Sequence, residues 1–331
     1  MSRRTTLLSL VILVIASVSL IALQQPQRPV QPPPQDVPTF SSVSDLVNIL
    51  CAVRDKKGHL INTLEKPDFQ IYEDGKPQEI KYFTRENSLP LTIGLLIDSS
   101  PSQGNLIGIE RSASMQFFSS VLREKDMAFL ISFDSSIDLL TDLTNNKGQL
   151  QRGLDEVRVG GGGVSGGPFP NSGGGGTHLY DALFLASNDK LASEVGRKTV
   201  ILVTDGEDQG SKLKVERAIE AAQRADVVVY GVHFVDEAFY RRGGFGMGGY
   251  GGQGVLKKMA EETGGRMISP GRNTNLNVAF QEIAEELRSQ YSIGYQSTNP
   301  KRDGSFRKIE IRVNGQDMKV QTRKGYFAMP N

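Results

Sequence analysis

Cysteine, tryptophan and histidine are scarce in this sequence of 331 residues, which has one cysteine, no tryptophan and three histidines. The single cysteine, Cys51, excludes a disulfide within the chain. It occupies the apolar phase of an alternating segment from Val47 to Val53, where a free thiol behaves as a small hydrophobic side chain. The histidines are too dispersed in sequence to predict a histidine metal centre. They are His59, His178 and His233.

An excess of charge of either sign is also absent, since 38 Lys and Arg residues balance 37 Asp and Glu residues. Nucleic-acid binding needs a basic face or stripe, and the sequence contains no such run, so we expect no nucleic-acid partner. The nucleophile-elbow pattern G-x-S-x-G and the phosphate-binding pattern G-x-x-x-x-G-K-[ST] are missing as well. The length leaves room for about two domains.

The amino terminus predicts export. Arg3 and Arg4 precede an apolar stretch over residues 7–23, which matches the basic and hydrophobic regions of a secretory signal. The stretch is also close to the length of a membrane span, so residues 1–23 are either a cleaved signal peptide or a retained signal anchor. Residues 24–40 form a linker rich in Pro and Gln. We expect the rest of the chain to be periplasmic, in the cell envelope or secreted.

Two apolar runs end in aspartates. Residues 91–97 and 198–204 read as buried parallel strands, and Asp98 and Asp205 follow them directly. Because open α/β sheets bind ligands beyond the carboxyl ends of their strands, both acids should lie where such folds place their sites.

Three hydroxyl residues accompany the two aspartates. Ser100 and Ser102 follow Asp98 closely, and Thr177 precedes a helical pattern over residues 179–186. Taken singly, the serine segment could be an ordinary turn and Thr177 an ordinary helix N-cap. Their joint occurrence in this order favours a metal site built from oxygen ligands.

This set resembles the metal-ion-dependent adhesion site of von Willebrand factor type A domains. The resemblance rests on Asp98-x-Ser100-x-Ser102, on Thr177 in a Gly-Gly-Thr-x-Leu-Tyr-Asp-Ala-Leu stretch and on Thr204-Asp205-Gly206. It implies a Mg²⁺ ion held by Asp98, Ser100, Ser102, Thr177 and Asp205, for which Mn²⁺ can substitute. It also implies an open coordination position for an acidic side chain or carboxyl group of a protein partner. No other cofactor and no catalytic residue are predicted.

The coarse strand pattern predicts an α/β domain inserted into a small β-sandwich. Residues 45–54, 69–73 and 78–84 read as strands, with a hairpin at Asp74-Gly75, and strands return at 291–296, 306–313 and 319–328. Neither group has enough strands to be stable alone, so residues 41–88 and 291–331 should form one sandwich. Residues 89–290 alternate strands and helices, which predicts a doubly wound, mostly parallel sheet covered on both faces. Residues 73–77 and 323–328 within these segments also resemble the flanking regions of bacterial proteins related to this family.

Helix periodicity predicts two buried stripes, and glycine is concentrated in two segments. The first helix of the inserted domain should bury a stripe made of Leu106, Ile109, Ala113, Phe117 and Val121. The last should bury Leu276, Phe280, Ile283 and Leu287. Glycine-rich segments lie at residues 160–176 and 243–254. The first is either a mobile rim beside Thr177 or an inconsequential insertion, and the second contains a weak dinucleotide-like match.

Three functions are compatible with these sequence features. The first is an interaction module that binds a partner carboxylate through Mg²⁺. The second is a hydrolase in which the same metal activates water. It is disfavoured because, apart from the ligands themselves, no His or Glu lies in a motif that supplies a general base. The third is a scaffold whose metal site is vacant.

Overall fold

Strands from both ends of the chain flank a domain in which strands and helices alternate. A computed structural model describes residues 46–85, 89–160, 176–236, 251–270, 275–315 and 317–328. Its strands are β1 (Leu46–Arg54), β2 (Phe69–Glu73), β3 (Lys76–Gln78), β4 (Ile80–Arg85), β5 (Leu91–Asp98), β6 (Met127–Phe133), β7 (Ile137–Thr144), β8 (Arg197–Thr204), β9 (Val227–His233), β10 (Met267–Ile268), β11 (Tyr291–Gln296), β12 (Phe306–Val313), β13 (Lys319–Thr322) and β14 (Gly325–Phe327).

The α-helices among the described residues all belong to the central domain. They are α1 (Ile107–Val121), α2 (Lys147–Glu156), α3 (Leu179–Leu185), α4 (Val215–Arg224), α5 (Gly251–Thr263) and α6 (Leu276–Arg288). A π-helical segment, Ala186–Leu191, continues α3, and short 3-10 turns lie at Lys66–Asp68 and Pro101–Gln103. None of the helices in the described ranges is long and apolar enough to cross a bilayer.

The central sheet has the strand order β10-β9-β8-β5-β6-β7. Its neighbouring strands are parallel, except that β7 runs antiparallel to β6 at one edge. All residues of β5 and β8 are buried, as expected for strands covered on both faces. Helices α1, α2 and α6 pack on one face, and α3, α4 and α5 pack on the other. The predicted α/β class is therefore confirmed.

The predicted stripe of helix α1 is wrong at Ile109, and Leu106 at its start is the half-buried N-cap of the helix. Ile109 is 49% exposed, whereas its neighbour Glu110 is 0% exposed. Both residues fit a spacing of three or four from the flanking apolar positions, so periodicity alone could not choose between them. Helix α1 packs with Glu110 on its buried face and Ile109 on its exposed face. The stripe predicted for α6 is confirmed, since its four apolar residues are buried.

Two antiparallel sheets built from both ends of the chain form the predicted β-sandwich. Their strand orders are β13-β1-β11-β4 and β14-β12-β2-β3. The two sheets share one apolar core, which contains Ile49 of β1, Ile71 of β2, Tyr291 of β11 and Ile309 of β12. Cys51 is buried in this core, and its burial raises the pKa of the thiol.

Two predicted strands are each split between the two sheets. Residues 78–84 divide at Glu79 into β3 and β4, because β3 pairs with β2 while β4 pairs with β11 of the other sheet. Residues 319–328 divide between β13, which pairs with β1, and β14, which pairs with β12. A chain that crosses from one sheet of a sandwich to the other must interrupt its ladder. The predicted hairpin is confirmed, since Asp74 and Gly75 have φ of 48° and 79°.

Some predicted features lie outside the described residues. The signal or anchor segment and the linker fall within residues 1–45, and most of the two glycine-rich segments falls within residues 161–175 and 237–250. The dinucleotide-like pattern belongs to the second of these ranges.

Candidate metal centre

Two aspartates end neighbouring strands at one edge of the central sheet. Strands β5 and β8 pair in parallel, and Ile97 lies opposite Val203. Asp98 is therefore level with Thr204, whose hydroxyl donates a hydrogen bond of 2.6 Å to Asp98 Oδ2. Asp205 follows Thr204 directly. The parallel register thus places both carboxylates at the carboxyl edge of the sheet, where such folds bind ligands.

The turn after β5 orients the two serines. The Ser100 N–H donates to Asp98 Oδ1 at 2.9 Å, a local bond that aspartate favours in turns. The hydroxyl oxygens of Ser100 and Ser102 lie 2.9 Å apart. The Ser102 hydroxyl donates to Asp205 Oδ2 at 2.7 Å. These bonds, with the one from Thr204, connect four of the five predicted ligands.

Thr177 reaches this edge through backbone pairing. Its N–H donates to the carbonyl of Gln209 at 3.1 Å, and its own carbonyl accepts from the Gln209 N–H at 2.9 Å. The His178 N–H donates to the carbonyl of Asp134 at 2.8 Å, just beyond β6. Thr177 is thereby held between the loop after Asp205 and the end of β6. It is not the N-cap of α3, because that position belongs to His178.

The two carboxylates are buried together. Asp98 is 0% and Asp205 is 2% exposed. Burial and the negative charge of Asp205 raise the pKa of Asp98 to about 7, although hydrogen bonds from Ser100 and Thr204 oppose the shift. Because a nearby positive charge favours an ionised carboxylate, a cation bound here would remove this electrostatic cost.

The residues present fit a hard cation. The predicted ligands offer two carboxylates and three hydroxyls, an all-oxygen set of the kind that Mg²⁺ and Ca²⁺ prefer. The serine and aspartate side chains already share hydrogen bonds that pre-orient them. In the part of the chain that the structure covers, no group of three or more His, Cys, Asp or Glu residues could hold a metal. The candidate site contributes two such residues and takes its other donors from hydroxyls.

Close backbone packing fixes the loop after Asp205. Gly206 has φ of 83°, in the left-handed region that favours glycine. A Cβ on Gly206 would lie 2.4 Å from the carbonyl oxygen of Gly252, and one on Gly252 would lie 2.4 Å from that of Asp205. Glu207 Oε1 accepts a hydrogen bond of 3.0 Å from the Gly252 N–H. The first turn of α5 therefore holds this loop in place.

The rim beside the serines is formed by Val159 and Gly160, at the start of the first glycine-rich segment. The Gly160 N–H donates to the carbonyl of Ser99 at 2.7 Å. Val159 is 38% exposed, and its methyl group lies 3.6 Å from where a Cβ on Gly104 would be. The structure therefore places Val159 against Gly104, two residues after Ser102, and pairs Gly160 with Ser99, the residue before Ser100.

Sequence reasoning missed two carboxyl groups near this edge. Asp236, which follows β9, is 7% exposed and accepts a hydrogen bond of 2.5 Å from Asn105 Nδ2. Glu110 is buried on α1, and burial and the charges of Asp98 and Asp205 raise its pKa well above the usual range. The position of Asp236 after a strand was a usable signal. The signal for Glu110 was its place on the helical stripe.

Comparison with known proteins agrees with this description. Residues 93–207 match a family model described as the von Willebrand factor type A domain. This range contains all five predicted ligands. A search of curated protein sequences gave no significant match.

Solved structures with a similar chain path were also found. An aerotolerance-related membrane protein from Bacteroides fragilis shares 15% identity, with 60% of this chain and 98% of that chain covered and a TM-score of 0.43. The conserved hypothetical protein BatB from Bacteroides thetaiotaomicron shares 16% identity, with 60% and 97% covered and a TM-score of 0.41. Proximal thread matrix protein 1 from the mussel byssus, with a zinc-occupied MIDAS motif, shares 13% identity, with 64% and 48% covered and a TM-score of 0.45.

Proposed function

We propose that this chain, whose residues 93–207 match the von Willebrand factor type A domain, is a metal-dependent protein-interaction module. The ion is Mg²⁺, for which Mn²⁺ can substitute. The proposed ligands, directly or through water, are Asp98, Ser100, Ser102, Thr177 and Asp205. The observation that carries this proposal is the connected group of two buried carboxylates and two serine hydroxyls at the carboxyl edge of the sheet.

The proposed ligands and the groups around them have different roles. Asp98 and Asp205 supply the negative charge. Thr204 and the Ser100 N–H hold the Asp98 carboxylate in one orientation through two hydrogen bonds, while the Ser102 hydroxyl does the same for Asp205. When bound, Mg²⁺ supplies positive charge and an open coordination position for an oxygen of the partner.

The chemistry of the partner follows from that open position. A hard cation favours an anionic oxygen, so the proposed partner is a protein that offers an acidic side chain or a carboxyl group. Val159 lies beside the site as an exposed apolar contact, and the exposed Asn105 adds a polar one. We assign partner specificity to this rim, because the ion itself does not distinguish one carboxylate from another.

We propose an exported location for the module. Arg3 and Arg4 followed by the apolar residues 7–23 support this, because a basic flank stays in the cytoplasm while the following chain is exported. Protease added outside the inner membrane should therefore cleave within residues 24–38. Full protection in intact spheroplasts would place the domains in the cytoplasm.

An interaction module is favoured over a metal-assisted hydrolase. A hydrolase needs a general base that reaches the attacking water and the substrate together. The Glu110 carboxyl near the site is 0% exposed, so no substrate reaches it. A scaffold that never binds metal is the remaining alternative, and it predicts partner binding that is indifferent to chelation.

The experiment is a comparison of partner retention with and without the metal. Immobilised full-length protein is exposed to solubilised envelope proteins in Mg²⁺, in chelator and in Ca²⁺. We expect the specific partner to be retained in Mg²⁺ and lost in chelator. Ca²⁺ should substitute poorly, because it prefers more ligands at longer distances than an octahedral Mg²⁺ site offers.

Matched serine variants separate the site from the rest of the surface. Ser100→Ala should abolish retention while the protein still folds. Ser112→Ala, which changes an exposed serine on α1, should leave retention unchanged. A partner retained equally by all proteins in Mg²⁺ and in chelator would mean that binding uses another surface, and the proposal would be withdrawn.

A further inference from the structure

Helix α1 buries a charged residue and exposes an apolar one. Glu110 is 0% exposed and the adjacent Ile109 is 49% exposed. A helix rotated by one position would bury the isoleucine and release the glutamate to solvent. Burying a carboxyl group without a hydrogen-bond partner is unfavourable, so the observed orientation requires a compensating interaction.

Two other buried polar residues in the same stretch of chain, Gln103 and Ser114, also lack partners among the described residues. Within the described ranges, neither carboxyl oxygen of Glu110 and neither polar atom of the Gln103 side chain has a hydrogen-bond partner, and the same holds for the hydroxyl of Ser114. All three residues are 0% exposed. Native proteins pair the large majority of buried polar atoms with protein or ordered water. Three such groups together indicate that a polar ligand or water is bound here.

The position of these groups connects them to the candidate metal centre. Gln103 directly follows Ser102, and its N–H donates to the carbonyl of Ser100 at 2.9 Å. Ser114 lies one helical turn after Glu110, so both project from the same face of α1. The charges of Asp98 and Asp205 contribute to the raised pKa of Glu110, which means that these carboxylates lie within electrostatic range of it.

We infer that Glu110 is an outer-shell residue of the metal site, accepting a hydrogen bond from a water of the ion's hydration shell on the α1 side. Gln103 orients that water, and this inference rests on the proposed metal binding. Mg²⁺ usually retains several waters, and carboxylates behind the direct ligands commonly orient the shell around a metal. The ion would supply the positive charge and the water the O–H donors that Glu110 lacks in the described protein.

A purely structural role for Glu110 predicts a different response to substitution. A neutral, buried glutamic acid that only fills space would be replaced by glutamine with no consequence for the metal. An outer-shell glutamate would affect metal binding without lowering metal-free stability. Burial and the charges of Asp98 and Asp205 raise the pKa of Glu110 and so favour its neutral form when metal is absent, whereas glutamine removes a favourable contact when metal is present.

The test measures the Mg²⁺ dissociation constant and the melting temperature in chelator for wild type and Glu110→Gln. We expect Glu110→Gln to bind Mg²⁺ about tenfold or more weakly, the usual consequence of losing an outer-shell partner. Its melting temperature in chelator should equal or exceed that of wild type. Glu156→Gln, which changes an exposed glutamate on α2, is the control and should alter neither quantity.

The possible outcomes separate this inference from the proposed function. If wild type binds Mg²⁺ and Glu110→Gln binds it equally well, Glu110 is structural and this inference fails alone. If wild type binds no Mg²⁺, the proposed function fails too. Should Glu110→Gln not fold, Glu110→Asp retracts the carboxylate while keeping its charge, and it should also weaken Mg²⁺ binding. Unchanged Mg²⁺ affinity in Glu110→Asp would then overturn the inference.

Discussion

Two fully buried glutamates of the central domain differ in whether their carboxyl oxygens have hydrogen-bond partners. Glu286 on α6 and Glu110 on α1 are both 0% exposed. Glu286 accepts hydrogen bonds at both carboxyl oxygens, while neither oxygen of Glu110 has a partner among the described residues. The donors to Glu286 are Arg54, Tyr230, Arg266 and Gln321.

The origin of those donors explains the difference. Arg54 and Gln321 belong to strands of the sandwich, whereas Tyr230 and Arg266 belong to the central domain. Glu286 therefore joins the two parts of the fold, and its cost of burial is offset within the protein. Glu110 lies on α1, and the charges of Asp98 and Asp205 contribute to its raised pKa. We interpret Glu286 as structural because groups of the protein donate hydrogen bonds to its carboxyl oxygens. We interpret Glu110 as part of a ligand site because its carboxyl oxygens have no donor among the described residues.

The largest expected effect is on the free energy of unfolding, and it comes from replacing Glu286. Glu286→Ala leaves the half-buried Arg54 without its carboxylate and leaves the half-buried Arg266 with Glu282 alone, and breaking such a pair costs about 3–5 kcal/mol. The free energy of unfolding, measured in urea, should fall by that amount. Glu285→Ala, at the exposed neighbouring position, should change it by at most about 0.5 kcal/mol. A loss below about 1 kcal/mol in Glu286→Ala would show that this network does not join the two parts.

A smaller effect concerns the backbone packing behind Asp205. Gly252→Ala would place a Cβ 2.4 Å from the Asp205 carbonyl oxygen, and such overpacking costs about 1–3 kcal/mol. The displaced loop should also bind Mg²⁺ more weakly. Gly254→Ala lies in the same helix with no atom within 4 Å of its Cβ, so it should stabilise the protein by up to about 1 kcal/mol. Equal unfolding free energies for the two variants would refute the clamping role of α5.

The smallest expected effect is the pH dependence of the metal site. In the metal-free protein the pKa of Asp98 is raised from 3.8 to about 7, so folding stability is lost as pH rises between these values. Mg²⁺ needs the ionised carboxylate and therefore competes with the proton. Mg²⁺ affinity should fall about tenfold from about pH 8 to about pH 6, or roughly 1.4 kcal/mol. Titration calorimetry at both pH values measures this, and equal affinities would contradict it.

Local pattern predicted much of the fold. The apolar runs before Asp98 and Asp205 give their strands directly, since buried parallel strands lack polar alternation. Pairing of the two chain ends followed from their shortage of strands. The split at Glu79 was missed because alternation continues through the sheet crossing. The set of ligands stays a prediction, although the structure brings four of the five together.

Long-range polar contacts were beyond sequence reasoning. The Arg54 guanidinium and the Glu286 carboxylate are 232 positions apart, and no local pattern relates them. Glu110 was missed for a different reason. Spacings of three and four are both helical, so the periodicity admitted Ile109, and an apolar residue was preferred on the buried stripe.

The Mg²⁺-dependent change in the free energy of unfolding tests the central claim most directly. Chelator-treated wild type, Asp98→Ala and the exposed-site control Asp155→Ala are unfolded in urea with and without Mg²⁺ at about 100 times its dissociation constant. Wild type and the control should gain about 2.7 kcal/mol, while Asp98→Ala should gain nothing. No gain in wild type, or an equal gain in Asp98→Ala, would contradict a metal site at the ends of β5 and β8.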